Sequence, residues 1–246
     1  MTSAVIPDTV SRIENHAFKD RVDLVSVSIP DSVREIGDGA FEGCTALESI
    51  VIPDSVERIG AGAFSNCASL KYVIMPKLHR EINHTFIIGN SAFYRCSSLE
   101  YVFIPDSIFA IGKSAFGSCS SLRSFVTYDS KYDQGVVPTT CVVYADAFCA
   151  CANLEEVVLP GSVVQLGDCS FMACTSLRGI SLPKDLLTIG SYAFAGCSAL
   201  IQLEIPDSVY LVGKDAFFKC PSLKTIHSYN PDALKDARVP KRIKIV

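Results

Sequence analysis

A phenylalanine recurs along this chain at Phe18, Phe41, Phe64, Phe93, Phe116, Phe148, Phe171, Phe194 and Phe217, most of the intervals being 23 residues. Other positions keep step with it. An Ile/Leu/Met-Pro dipeptide ends at Pro7, Pro30, Pro53, Pro76, Pro105, Pro160, Pro183 and Pro206. Three residues after all but the first phenylalanine stands a cysteine (Cys44, Cys67, Cys96, Cys119, Cys151, Cys174, Cys197, Cys220), and a leucine follows three residues later, from Leu47 to Leu223. The unit reads IPDSVxxIGxxAFxxCxxLxxVx and covers residues 4 to 228. A period of roughly 20–50 residues is the mark of a solenoid or another repeat array. One such unit cannot bury its own apolar residues, so neighbours must stack into a continuous core.

Each position has a physical reading. Leu47-Glu48-Ser49-Ile50-Val51-Ile52 is a short strand with three buried anchors and alternate residues outward. Pro53 ends it, because proline cannot donate to a ladder. Asp54-Ser55 is turn or helix-cap chemistry. Ile59-Gly60 is expected to turn the chain, with glycine supplying a backbone shape that other residues resist. Ala63-Phe64 sets a small residue and a large ring against the next coil. Two units are longer. The step from Phe64 to Phe93 carries an insertion near residues 77–87, and that from Phe116 to Phe148 one near 128–141. Both lengthen the loop between the strand and the Ile-Gly step, and insertions in solenoids commonly map to one functional face.

This spacing of Pro, Ala-Phe, Cys and Leu resembles the BspA-like class of leucine-rich repeats. The resemblance implies an α/β repeat architecture: a right-handed curved solenoid of nine repeats, with a parallel sheet on the concave face and short irregular or helical segments on the convex face. Residues 1–229 would form this single solenoid and 230–246 a C-terminal capping segment. Members of the class look like surface adhesins and interaction proteins, and they share no active site, so the resemblance implies a fold more sharply than a partner.

The cysteine column admits two readings, a ladder of disulfides or metal ligands and a buried core column. Free cysteine behaves as a small hydrophobe, and the paired Cys-x2-Cys of a zinc site is absent. The core column is the expectation. Cys141, Cys149 and Cys169 lie outside it; Cys141, in the second insertion, is expected to be exposed and is the candidate reactive thiol. His79 and His84, near Glu81 in the first insertion, have no second cluster to complete a metal or acid–base site. Asn83-His84-Thr85 is a glycosylation sequon only in a secreted chain. The repeated Asp-Ser pairs are turn chemistry, and the Gly-x-Gly pairs lack the strand–glycine–helix context of a phosphate loop. The sequence calls for no catalytic residue, cofactor or metal.

With 22 basic and 26 acidic residues the net charge is −4, which disfavours a phosphate-backbone binder. No run approaches the roughly 18 apolar residues of a membrane span, so no membrane insertion by this chain is expected. The start has neither the basic nor the apolar segment of a secretory signal, and the chain reads as soluble and intracellular, or as a cell-surface piece of a longer parent. The first repeat opens without a cap, so either a partner covers that end or upstream repeats precede it.

The third and fifth residues of each strand should face outward. Most are small or polar, as in Ser26/Ser28 and Gln202/Glu204, but the middle is not. Tyr72, Ile74, Tyr101, Phe103 and Val126 form an apolar patch on the rungs that carry the insertions. Such a patch suggests an interaction site, and tyrosine is favoured at hot spots. The sequence therefore predicts a protein-interaction module that binds another protein through the concave sheet and insertion loops. A structural subunit of a larger assembly and a cell-surface adhesin fragment are the alternatives.

Overall fold

Each repeat contains two short apolar pairs, and each pair forms a strand. The computed structural model describes residues 2–76, 86–105, 107–128 and 140–246. It is a parallel β-solenoid whose coils build two sheets and a side of tight turns. The Leu-x-x-Ile segments make the first sheet. Thr2–Val5 pairs with Leu24–Ser28; Ser49–Val51, Tyr72–Ile74, Tyr101–Pro105, Ser124–Tyr128 and Glu156–Val158 form a five-stranded run; Gln202–Ile205, Thr225–Ser228 and Lys244–Ile245 form a third group. Between the last two groups the rung is tied in by one bridge, Val158 to Ser181.

The Val-x-x-Ile segments make a second sheet of nine short parallel strands in chain order, from Arg12–Ile13 and Glu35–Ile36 to Leu211–Val212. This corrects the expectation of irregular or helical segments opposite the first sheet. Among the described residues the helical content is one 3-10 turn, Pro231–Leu234. The glycines explain why. A Cβ on Gly37 would lie 2.6 Å from the Ile13 carbonyl oxygen, and one on Gly190 would lie 2.4 Å from the Asp168 amide nitrogen. Successive coils approach at backbone contact here, which a helix about 10 Å across would prevent. These glycines serve close approach, therefore, and not a turn: neither Gly37 nor Gly190 has a positive φ.

Positive φ falls elsewhere, two residues before and two after each phenylalanine, from His16 and Asp20 to Asp215 and Lys219. Those residues and the phenylalanine itself aim their N–H groups at the next coil: His16 N to Asp38 O at 2.9 Å, Phe18 N to Ala40 O at 2.7 Å and Asp20 N to Glu42 O at 2.7 Å. The turn side is thus a third hydrogen-bonded ladder.

Inside, the phenylalanines stack from Phe18 to Phe217 with centroids 5.0–6.1 Å apart and planes within 4–7° of parallel. Phe125 wedges edge-on between Phe116 and Phe148, at 5.4 and 4.7 Å. The eight in-register cysteines are buried beside the stack. Each thiol donates to the carbonyl of the phenylalanine one coil earlier, at 3.0–3.2 Å. Arg242 donates to the carbonyls of Leu223 at 2.8 Å and Pro221 at 3.3 Å, which ties its segment to the neighbouring coil.

Candidate functional site

The first sheet alternates strictly. Val73, Val102, Phe125 and Val157 point into the core, and their neighbours point out. Parallel register then sets the outward residues in rows that cross the strands. One row is Ser49, Tyr72, Tyr101, Ser124 and Glu156; the next is Val51, Ile74, Phe103, Val126 and Val158. Five adjacent strands carry an apolar residue at the same outward position, a row about 19 Å long at the usual strand spacing.

Tyr72, Ile74 and Phe103 are about half exposed, at 49, 52 and 50%, and Tyr101 is exposed at 38%. Val126 is half-buried between Phe103 and Val158. The structure therefore brings all five patch residues together on one face. It also extends the patch at both ends, through Val51 at 55% and Val158 at 39% exposure. These two share the repeat position of Ile74 and Phe103 and, as the fifth residues of their strands, were expected to face outward, though not as part of the patch. The Ser124 hydroxyl, buried between Tyr101 and Glu156, donates to Glu156 Oε2 at 2.9 Å and fixes that carboxylate at the edge of the patch.

Both insertions follow strands of this patch, Tyr72–Ile74 and Ser124–Tyr128. His79, Glu81, the Asn83 sequon and His84 lie outside the described residues. Cys141 is a correction: it is fully buried, in the second-sheet strand Cys141–Val143, and burial pushes its thiol up to about 12. It belongs to that strand's inward face and not to an exposed loop, so it is the opposite of a reactive thiol. Burial, then Asp146, raises Cys149 to about 11, and burial followed by Asp146 and Asp168 raises Cys169. All eleven cysteines are free thiols. No group of three or more His, Cys, Asp or Glu side chains is placed to hold a metal among the described residues. No helix among them is long and apolar enough to cross a membrane.

Comparison with known proteins agrees with this architecture. The family model described as BspA-type leucine-rich repeat region matches in six copies, over residues 1–123, 86–133 and 142–235. No curated protein matches the chain. Among solved structures, the pneumococcal vaccine antigen PcpA is 21% identical over 99% of this chain and 73% of its own, with a TM-score of 0.51. A leucine-rich repeat protein from Bacteroides ovatus is 24% identical over 100% of this chain and 83% of its own, with a TM-score of 0.42. A leucine-rich cell surface protein from Faecalibacterium prausnitzii is 24% identical over 99% and 87%, with a TM-score of 0.38. The repeat pattern, the stacked coils and the family model together place this chain in the BspA-type leucine-rich repeat family.

Proposed function

We propose that this chain is a non-catalytic protein-interaction module that binds a partner protein through its first sheet and the two insertions beside it. The observation that carries the reading is the row Val51, Ile74, Phe103, Val126 and Val158 beside the Tyr72–Tyr101 pair: a continuous apolar strip across five adjacent strands. Contiguous exposed apolar surface on a soluble fold favours a partner, and rigid tyrosines give large contact area at little entropic cost. The net charge of −4 supports a protein partner over a nucleic acid. We also place this sheet on the concave side of a right-handed solenoid, supported by the handedness of parallel strand crossovers and by the family.

A second reading, a subunit held within a larger assembly, has one observation in its favour. The outer side of the second sheet exposes Phe109, Leu187, Tyr210 and Leu211, at 42–63%. A cross-linked pull-down from source cells separates the two readings, comparing wild type, Tyr72→Ser/Tyr101→Ser/Phe103→Ser and Leu187→Ser/Tyr210→Ser. The substituted side chains are exposed, so each variant should fold. Loss of a specific partner from the first variant alone supports the module. Loss from the second alone moves the interface to the other sheet and overturns the proposal.

A further inference from the structure

The first sheet is broken one rung beyond the apolar strip, and the break is a recess. Rung seven, Arg178–Leu182, forms no strand, whereas the second sheet runs on without interruption through Val163–Leu166, Thr188–Ile189 and Leu211–Val212. The coils are thus held at strand spacing on one side, and on the other rung seven keeps the Val158–Ser181 bridge and a hydrogen bond from Ile201 N to Arg178 O at 3.2 Å without forming a strand. The recess has a volume of about 620 Å³. The two outward positions of this rung are Gly179 and Ser181, so one row has no side chain here and the other a small one; a Cβ on Gly179 would have no atom within 4 Å. Val158, Ile180 and Leu182 supply an apolar floor, and Ile180 and Leu182 are only half-buried although the counterparts of the first, Val157 and Leu203, and of the second, Leu159 and Ile205, are buried.

The rim is acidic. Glu155 and Glu156 line one side, Gln202 and Glu204 the other. None of the three carboxylates makes an ion pair with a described residue; Ser124 is the side-chain partner of Glu156. Arg123 and Arg178, at the repeat position of Glu155 in the rungs on either side of it, are exposed and do not line the recess. A slot two strand spacings wide, about 10 Å, with an apolar floor and carboxylates at its lip, matches one kind of side chain: a long alkyl stem that ends in a cation. The carboxylates are not gathered as a metal site would need.

We propose that this recess takes a lysine or arginine side chain of the partner protein, from an extended segment that crosses the sheet and lays an apolar residue on Phe103 and Val126. The proposal rests on the interaction reading above and gives its partner a chemistry. Val126 pairs with Val158, and Val158 lines the recess, so strip and slot are one continuous surface. Their separation is about two strand spacings, or about three residues of extended chain. The recognised segment is therefore an apolar residue followed or preceded, three positions away, by lysine or arginine.

The test selects a displayed library of random twelve-residue peptides on the full chain, then measures the enriched peptides against variants. The expected result is enrichment of an apolar residue and a basic residue three apart. Glu156→Gln/Glu204→Gln should weaken such a peptide about tenfold, close to one charge-assisted contact, and Gly179→Leu, which fills the slot, should weaken it likewise. Replacing the basic residue by norleucine should abolish the response to both variants. Enrichment of acidic or uncharged peptides, or no enrichment, overturns the proposal. So does binding that Tyr101→Ser/Phe103→Ser reduces but the slot variants do not, which leaves the strip as the site. Slot variants that weaken binding while the strip variant does not would sustain the slot and sink the reading of the strip.

Discussion

Glycine has two distinct jobs among these coils, close approach at positions such as Gly190 and a left-handed backbone at positions such as Gly43 and Gly196, and a substitution separates them. Gly190 sits where an added Cβ would meet the Asp168 amide nitrogen at 2.4 Å and the Gly167 carbonyl carbon at 2.5 Å, both backbone atoms that cannot give way alone. Two residues beyond the neighbouring phenylalanine, Ala173 has a φ of 60°, in a position that Gly43 and Gly196 occupy in other coils. A left-handed alanine costs about 1–2 kcal/mol, against which glycine gives back roughly 0.5–1 kcal/mol in unfolded-state entropy. Ala173→Gly should therefore stabilise the protein by up to about 1 kcal/mol. Gly190→Ala should destabilise it by roughly 3 kcal/mol, by forcing two coils apart. Urea midpoints of the two variants decide the matter. Shifts of equal sign would show that the two columns share one role.

At the scale of the element, the first-sheet strands were legible because their period is two and proline marks their end. The second-sheet strands were not. Their buried pair, as in Val33 and Ile36, is spaced i, i+3, a spacing a helical turn also has, and only the backbone contact at Gly37 shows that a helix is excluded. The five patch residues were readable from strand alternation, but the recess was not, since Gly179 and Ser181 read as two more small outward residues and the weak pairing of rung seven shows only in the coil-to-coil register. The cysteine column was readable as buried, although its hydrogen bonds to the phenylalanine carbonyls required the coil-to-coil register. That burial has a consequence for pH. An unfolded thiol ionises near pH 9, whereas burial holds Cys141 protonated up to about 12 and raises every thiol of the column. Only the unfolded chain releases these protons between the two values. The stabilisation is whole below about pH 9 and falls away above it, by roughly 1.4 kcal/mol per pH unit for each thiol. Cys141→Ala should flatten the decline of stability from pH 9 to 11 by about one such increment, read by circular dichroism in urea; an unchanged slope would mean that Cys141 ionises in the folded protein.

Over the whole molecule, stability is carried by contacts between neighbouring coils, so position along the axis should decide what a core defect does. Phe116 touches Phe93 at 5.2 Å, Phe148 at 5.5 Å and Phe125 at 5.4 Å. Phe217 stacks on Phe194 alone among the described rings, at 6.1 Å. Truncating either to alanine removes a buried ring worth about 3–5 kcal/mol, yet a linear array can shed a weak end without unfolding its middle. Phe116→Ala cuts the ring stack at its centre, where the coils on each side keep their own neighbours. It should broaden the urea transition or split it in two, with hydrogen exchange opening the two halves separately. Phe217→Ala should leave the main transition nearly in place and lose amide protection only in the coils around Thr188–Ile189, Leu211–Val212 and Thr225–Ser228. If both variants shift one sharp transition by the same amount, the coils unfold as a single unit, and the two continuous ladders, the second sheet and the turn side, carry cooperativity along the full axis despite the two breaks in the first sheet.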